Sequence, residues 1–270
     1  MITLADAARA VLTAAEAEEK CRLTRAFAAD WREGRIAEAG TTPPPDRPAR
    51  PRRPELLAPR HMPRRSYGGI AGRVALLHAL AHIELNAIDL AWDHACRFTA
   101  EVMPPAFLDD WVQVAVDEVR HFELLRDLLA SLGAAYGDLP GHDGLWQAAE
   151  KTADDLMARL AVVPMTLEAR GCDTTPTTIA RLIANGDSAT PPVLEIILAD
   201  EIRHVAAGVR WFRFLAERRG LDPGAVYRRL LAERFPAGLK APFNHQARAA
   251  AGMPADWYEP MARQATAIRS

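Results

Sequence analysis

The sequence has few cysteines, almost no net charge and no run with the alternating periodicity of a β-strand. Its three cysteines, Cys21, Cys96 and Cys172, are too few and too scattered for a disulfide framework or a cysteine-based zinc site. The formal net charge is −2, so overall charge gives no reason to expect a nucleic-acid or membrane partner. The 49% of hydrophobic residues excludes disorder of the whole chain, and 270 residues are enough for a sizeable core.

Segments that would direct the chain to a membrane are also lacking. Asp6, Arg9 and Glu16 interrupt the apolar stretch at the start, which therefore has no uncharged core like that of a signal peptide. No uncharged apolar run approaches the roughly 20 residues that a membrane-spanning helix needs. We therefore expect a soluble cytoplasmic protein without a membrane partner, in which the cysteines are reduced.

Helical periodicity dominates the sequence and predicts an all-α fold. Residues 1–40, rich in alanine, glutamate and arginine, predict one or two N-terminal helices. Residues 69–219 contain four long apolar-periodic stretches, and residues 220–270 predict a short helical tail. We expect the third stretch to end near Gly171 and a separate short helix to follow it from Pro176 to Ala184.

Residues 41–68 form a connector that is rich in proline and arginine. The prolines forbid regular helix, so we expect an extended segment of the polyproline type. The arginines indicate either a basic strap that binds phosphates or RNA, or a solvated linker or a strap that lies on the domain. We favour the second interpretation. The seven arginines are Arg47, Arg50, Arg52, Arg53, Arg60, Arg64 and Arg65.

A duplicated motif indicates a chemical function. Residues 117–121 read Asp-Glu-Val-Arg-His, and residues 200–204 read Asp-Glu-Ile-Arg-His. Each copy contains Glu-x-x-His, which places both side chains on one face of a helix. Seventeen glutamates and eight histidines predict about half an occurrence of this pattern by chance. Two copies with the same flanking residues are therefore unlike a chance match.

A lone glutamate precedes each motif at a similar distance. Glu84 lies 34 residues before Glu118, and Glu168 lies 33 residues before Glu201. Each lone glutamate is followed by an aspartate five positions later. A turn signal lies near the middle of each interval. If the two helices on either side of it are antiparallel, the lone glutamate meets its motif at a similar height.

All four glutamates lie on otherwise apolar helix stripes, so we expect them to point into the fold. Four buried carboxylates would take up protons unless cations joined them. Two divalent ions balance four negative charges, and two neutral histidines complete a dimetal centre of the kind that helix bundles build. This ligand set suits iron or manganese better than Cu(I), and by itself it also admits zinc. The predicted ligands are Glu84, Glu118, His121, Glu168, Glu201 and His204.

Several neighbouring residues are expected to support the ligands. Asp117 and Asp200 are predicted to accept a hydrogen bond from the histidine ring nitrogen that does not bind metal. Arg120 and Arg203 would tether these aspartates or each other. Pro164 either opens the third helix beside Glu168 or simply bends it.

Other candidate residues near the predicted ligands have a simpler interpretation. His78 and His82 fall off the helix face of Glu84, so we interpret them as packed or hydrogen-bonded histidines rather than ligands. Cys172 is interpreted as a small buried hydrophobic residue.

Four stretches around the candidate ligands resemble a known superfamily. They are HALAHIELNAIDLAWD (residues 78–93), DEVRHFELL, VPMTLEARG and DEIRHVAAG. Over residues 69–219 the chain resembles the ferritin-like di-iron carboxylate superfamily, and it is most similar to a bacterial ferritin-like family of unknown function. The Asp-Glu-x-Arg-His element is also similar to that of bacterial multicomponent monooxygenases. The resemblance implies the same six ligands, with Glu118 and Glu201 as bridging carboxylates.

The fold that this resemblance implies is a ferritin-like four-helix bundle. To it the sequence adds an N-terminal helix, a proline-rich strap and a short helical C-terminal tail. We interpret these additions as a cover for a cavity or as a dimer surface, which leaves a homodimer open.

The leading functional hypothesis is a non-haem di-iron oxidase or monooxygenase that uses O2 to oxidise a small organic substrate. Its cofactor would be two carboxylate-bridged iron ions, or alternatively two manganese ions or a mixed iron–manganese pair. Because the sequence shows no flavin or nucleotide motif, we expect an external electron donor protein. The alternatives are a ferroxidase or iron-handling ferritin-like protein and a dimanganese catalase. The arginine-rich connector also leaves an RNA substrate open.

Overall fold

A computed structural model describes residues 2–62 and 67–263 of the chain. Arg64 and Arg65 of the connector lie outside the described residues. Within them the protein is helical and contains no strand beyond two isolated bridges, which confirms the all-α prediction. The α-helices are α1 (Leu4–Thr13), α2 (Ala17–Arg32), α3 (Gly69–Arg97), α4 (Pro105–Ser131), α5 (Gly144–Glu150), α6 (Leu156–Val162), α7 (Ala169–Ala184), α8 (Thr190–Arg218), α9 (Pro223–Arg234), α10 (His245–Ala250) and α11 (Ala255–Tyr258). A π-helix, Val163–Glu168, joins α6 to α7.

The third predicted stretch differs from the expectation. After α5 the chain breaks, and it then continues through α6, the π-helix and α7 without ending at Gly171 or Pro176. The prediction of two separate helices here was wrong. Pro176 lacks the N–H that would bond to the carbonyl of Cys172. That carbonyl instead accepts a hydrogen bond from Nδ2 of Asn244 at 3.2 Å, a contact that no local sequence pattern reveals.

The chain divides into two compact units. Unit 1 comprises Met1–Gln147 and Arg181–Val193, and unit 2 comprises Ala148–Ala180 and Leu194–Ser270. In unit 1, α3 packs against α4 and α1, and α2 packs against α1 and α4. In unit 2, α6 and α11 pack against α9. The segment boundaries inferred from the sequence stay a prediction.

The apolar faces of α3 and α4 form the core of unit 1. Leu77, Leu85 and Trp92 of α3 are each 1% exposed, and Trp111 and Phe122 of α4 are 1% and 0% exposed. Burial of a side chain of this size contributes about 1.5–3 kcal/mol. Among the described residues, α3 is the one helix long and apolar enough to cross a membrane. However, 78% of its most apolar window is buried, as in the core helix of a soluble protein.

Residues 41–58 of the connector lie along unit 1 as an extended strap, which is followed by a 3-10 turn at Pro59–His61. The N–H of Ala49 donates to a carbonyl at the end of α1 at 2.8 Å. Arg47 forms an ion pair with Asp143, and Arg50 forms one with Asp89. These two arginines are therefore engaged within the chain, which agrees with a strap that lies on the domain.

Candidate metal centre

Unit 1 brings the first lone glutamate together with its Glu-x-x-His motif. Glu84 comes from α3, and Glu118 and His121 come from one turn of α4. The Nδ1 atom of His121 lies 3.3 Å from Glu84 Oε2 and 3.4 Å from Glu118 Oε2. Glu84 is 4% exposed, and Glu118 and His121 are fully buried. Two carboxylates and one imidazole thus face one another away from water.

Burial and mutual proximity change the proton affinities in this cluster. Burial, and then the negative charge of Glu118, raises the pKa of Glu84 to about 8. Burial disfavours the charged form of His121, but hydrogen bonds to Glu118 and Glu84 outweigh it and raise the histidine pKa to about 9. The cluster therefore holds protons at neutral pH that separate groups would have lost. A divalent cation neutralises the same charges and displaces these protons.

We expect the metal-free protein to become less stable as the pH rises from about 5 to about 9. Both groups bind protons more tightly in the folded chain than in the unfolded chain. Between pH 4.5 and about 8 the unfolded chain loses the Glu84 proton while the folded chain keeps it, so the free energy of unfolding falls over this range. The stabilisation that protonated His121 contributes is lost between pH 6.5 and about 9. Urea unfolding of metal-free protein across this range should show a loss of a few kcal/mol.

Glu84→Gln serves as the comparison for this pH dependence, because it removes one of the two titrations. In this variant the free energy of unfolding should depend less on pH in the lower part of the range, where Glu84 would otherwise titrate. A free energy of unfolding that rises with pH in the unsubstituted metal-free protein would contradict the assigned shifts.

Unit 2 brings the second lone glutamate together with its own motif. Ligand atoms of Glu168, Glu201 and His204 lie within 4.8 Å of one another. The Nδ1 atom of His204 is 4.0 Å from Glu201 Oε2. Glu201 and His204 are buried, and Glu168 is half-buried. Each lone glutamate therefore meets the motif of its own half of the repeat, as the spacing predicts.

A π-helix leads to Glu168. Pro164 lies near the start of this helix and lacks a backbone N–H. Oγ1 of Thr166 donates to the carbonyl five residues earlier at 2.8 Å and lies 3.0 Å from the hydroxyl of Tyr227. Such wide turns are rare and often occur at functional sites. The widened turn agrees with the interpretation that Pro164 opens the helix beside the site.

A glycine of α8 allows close packing against this π-helix. A Cβ atom at Gly208 would lie only 2.7 Å from both Cβ and Cγ of Pro164. We expect Gly208→Ala to displace the π-helix, to lower the free energy of unfolding by about 1–3 kcal/mol and to weaken metal binding by the cluster of Glu168. Urea unfolding and metal titration measure the two effects.

Gly171→Ala is the matched control for this substitution. Gly171 lies in α7, three residues after Glu168, and nothing lies within 4 Å of its Cβ position. Alanine there should stabilise the helix by up to about 1 kcal/mol and leave metal binding unchanged. Equal losses in both variants would mean that the contact at Pro164 is unimportant.

The aspartates of the two motifs occupy buried positions. Asp117 is 6% exposed, accepts a hydrogen bond from Nε2 of Gln113 at 3.0 Å and lies 4.0 Å from Arg120. Asp200 is 3% exposed and forms an ion pair with Arg203 one turn later. Each arginine therefore lies beside the aspartate of its own motif. A hydrogen bond from a histidine ring to either aspartate stays a prediction.

A further aspartate, five positions after each lone glutamate, anchors a segment outside the repeat. In unit 1, Asp89 is fully buried and accepts a hydrogen bond from Nζ of Lys20 of α2 at 2.6 Å. It also pairs with Arg50 of the strap. These contacts fix the N-terminal helices and the strap to the helix that carries Glu84.

Unit 2 repeats this arrangement with its own partners. Both carboxylate oxygens of Asp173 accept hydrogen bonds from Arg248 of α10, at 2.9 and 2.7 Å. The Arg248 guanidinium also lies 4.5 Å from the centre of the Tyr258 ring. Sequence reasoning missed both anchors, although the shared Glu-x4-Asp spacing was the signal that could have revealed them.

The other residues singled out in α3 and α7 have structural partners. Nδ1 of His82 lies 2.8 Å from the hydroxyl of Tyr136, and Nε2 of His78 accepts a hydrogen bond from the backbone N–H of Gly137 at 2.9 Å. Their interpretation as packed, hydrogen-bonded histidines is confirmed. Cys172 is 2% exposed, and burial raises the pKa of its thiol, which keeps it protonated.

The donor set of each cluster fits a divalent transition-metal ion. Each offers two carboxylates and one imidazole in a largely buried position, and such mixed oxygen and nitrogen ligation suits iron, manganese or zinc. The fold and these clusters define a helical protein with candidate metal-binding sites.

The chain belongs to a protein family of unknown function. The family model described as "Protein of unknown function (DUF455)" matches residues 13–259. A protein of Haemophilus influenzae (strain Rd), described as uncharacterized, is 42% identical over 207 residues, which cover 75% of this chain and 72% of that protein. No solved structure matches the chain. Family membership therefore assigns no activity.

Proposed function

We propose that this protein is a ferritin-like, non-haem di-iron oxidase or monooxygenase that oxidises a small organic substrate. The observation that carries the proposal is the repetition of one cluster. In each unit a lone glutamate meets its own Glu-x-x-His motif, which is what a pair of equivalent metal ions requires. The six proposed ligands of one dimetal centre are Glu84, Glu118, His121, Glu168, Glu201 and His204.

The ligands have distinct roles in this proposal. The four carboxylates would neutralise two divalent ions, and the resemblance to di-iron proteins implies that Glu118 and Glu201 would be shared between them. His121 and His204 bind as neutral imidazoles, so metal uptake releases the protons that the metal-free cluster holds. Burial of Glu118 and His121 excludes water and protects a reactive centre from side reactions.

The proposed reaction needs a source of electrons outside the chain. When bound, the two iron ions supply the redox chemistry with O2. Hydroxylation of a substrate consumes one O2, two electrons and two protons, and it yields the alcohol and one water. Because the sequence shows no flavin or nucleotide motif, we propose that a separate donor protein delivers these electrons.

The test is O2 consumption by iron-loaded protein with a chemical reductant, in the presence and absence of candidate organic substrates. The proposal predicts that O2 uptake rises with one class of compound and that a hydroxylated or dehydrogenated product appears in step with it. Iron retained far above two ions per chain, without product, would instead select iron storage. Rapid peroxide dismutation after manganese loading, without an organic substrate, would select a catalase.

A further inference from the structure

A pocket of about 200 Å³ lies in unit 1 at the turn between α3 and α4. For comparison, an engineered apolar cavity of about 150 Å³ binds benzene. We call this site the turn pocket. Its lining includes His94, Ala95, Phe98, Val102, Met103 and Leu108.

The N-terminal segment builds one wall of the turn pocket with Ala39 and Gly40. The carbonyl of Ala39 accepts a hydrogen bond from the N–H of Ala5 at 2.8 Å. Gly40 has a φ of +73°, and a Cβ atom there would lie 2.1 Å from Oγ1 of Thr3, so only glycine fits at this close approach. The wall is therefore fixed before any ligand arrives, as is usual for small-molecule sites.

The aromatic rings of three lining residues, His94, Phe98 and Phe107, form the floor of the turn pocket. The ring of His94 stacks on Trp111 with a centroid distance of 4.0 Å and an angle of 12°. Phe98 lies 6.2 Å from His94, and Phe107 meets Trp111 edge to face at 6.1 Å. A hydrogen bond from His94 Nδ1 to the Leu90 carbonyl at 2.9 Å holds the histidine in place. The three lining rings offer aromatic contacts to a further ring, and Trp111 supports the ring of His94 without lining the pocket.

The rim and the charges of the turn pocket limit the kind of ligand. Val102 is 81% exposed, so a ligand at the rim would cover apolar surface that now contacts water. No lysine or arginine lies among the described lining residues, and Glu101 is the one carboxylate among them. An anionic ligand would therefore meet a like charge and no basic partner.

The turn pocket is separate from the candidate metal ligands. His94 follows Glu84 by ten residues on α3, and Leu108 precedes Glu118 by ten residues on α4. At the rise of an α-helix each of these separations is about 15 Å along the helix axis. A molecule in the turn pocket would not contact Glu84 or Glu118.

We propose that the turn pocket binds a small uncharged aromatic molecule, at a site distinct from the metal clusters. Its volume fits a single substituted ring, its floor offers aromatic contacts, and its lining opposes a carboxylate. This inference does not rest on the proposed oxidation chemistry, and binding should be equal in metal-free and iron-loaded protein.

The test is a titration of the full chain with toluene, followed by methyl NMR signals of Val102, Met103 and Leu108. We expect saturable shifts of these signals with a dissociation constant on the order of 1 mM or tighter. Methylcyclohexane, with the same carbon skeleton and no aromatic ring, should bind about two- to ten-fold more weakly. Benzoate should bind at least about ten-fold more weakly than toluene.

Two variants that fill the turn pocket from opposite walls locate the binding. Leu108→Trp and Ala39→Phe should each weaken toluene binding by at least about ten-fold. Leu221→Trp adds the same side chain at a partly exposed leucine of unit 2 and should leave binding unchanged. If Leu108→Trp fails to fold, Ala39→Phe still decides, because Ala39 is exposed. Absence of saturable shifts, equal binding of benzoate, or binding that survives a folded filled variant would overturn the proposal.

Discussion

Glu118→Gln should abolish the proposed dimetal centre and weaken metal binding by at least about 100-fold. Glu118 is fully buried, and its Oε2 atom lies 3.4 Å from Nδ1 of His121. Its carboxylate therefore does not contact solvent. Glutamine has the same shape but lacks the negative charge that the proposed centre requires. The metal-free variant should lose stability at neutral pH, because protonated His121 loses a buried anionic partner. Metal analysis and urea unfolding measure the two effects.

The metal affinity of the folded fraction separates a ligand from a structural residue. A merely structural carboxylate would lose stability on substitution but leave that affinity unchanged. Glu123→Gln is the control, since Glu123 lies on the same helix and pairs with Arg25 at the surface of unit 1. It should retain the full metal content. If Glu118→Gln still binds two ions per chain with unchanged affinity, the ligand assignment fails.

Arg248→Met should destabilise unit 2 by about 3–5 kcal/mol. The side chains of Arg248 and Asp173 are 2% and 0% exposed, and the substitution leaves Asp173 buried beside a more distant Arg170 at 3.7 Å. The helix α10 should also lose its attachment to α7. Urea unfolding gives the magnitude, and hydrogen exchange of α10 shows whether the loss begins there.

Arg234→Met provides the matched control for this effect. Arg234 pairs with Asp154 at 2.8 Å in the same unit, but the two side chains are 32% and 64% exposed. Its removal should therefore cost no more than about 1 kcal/mol. The double variant Arg248→Met, Asp173→Asn should recover about half of the loss, because the buried carboxylate is no longer charged. Equal losses for Arg248→Met and Arg234→Met would show that burial of the pair is unimportant.

The sequence predicts what depends on local periodicity. The all-α class and the meeting of Glu84 with Glu118 follow from apolar stripes and from spacing. Each of these features is repeated or extends over several helical turns, so a single sequence contains enough signal.

Features that depend on distant partners escaped prediction. Lys20 donates a hydrogen bond to Asp89, 69 residues later in the sequence. Asn244 donates one to the carbonyl of Cys172, which lies 72 residues earlier and has no N–H partner at Pro176. No periodicity connects such pairs. The same holds for the close packing of Gly208 on Pro164, which involves the π-helix beside Glu168. These contacts depend on the three-dimensional fold and leave no pattern in the local sequence.

Iron binding and spectroscopy of the loaded protein test the central claim most directly. Mössbauer and electron paramagnetic resonance spectra after anaerobic loading and oxidation report both the number of iron ions and their coupling. We predict about two ions per chain in one spin-coupled pair, which is lost in Glu201→Gln and kept in Glu195→Gln, an exposed glutamate of the same helix. A single ion per chain, or two magnetically isolated ions, would contradict a shared dimetal centre.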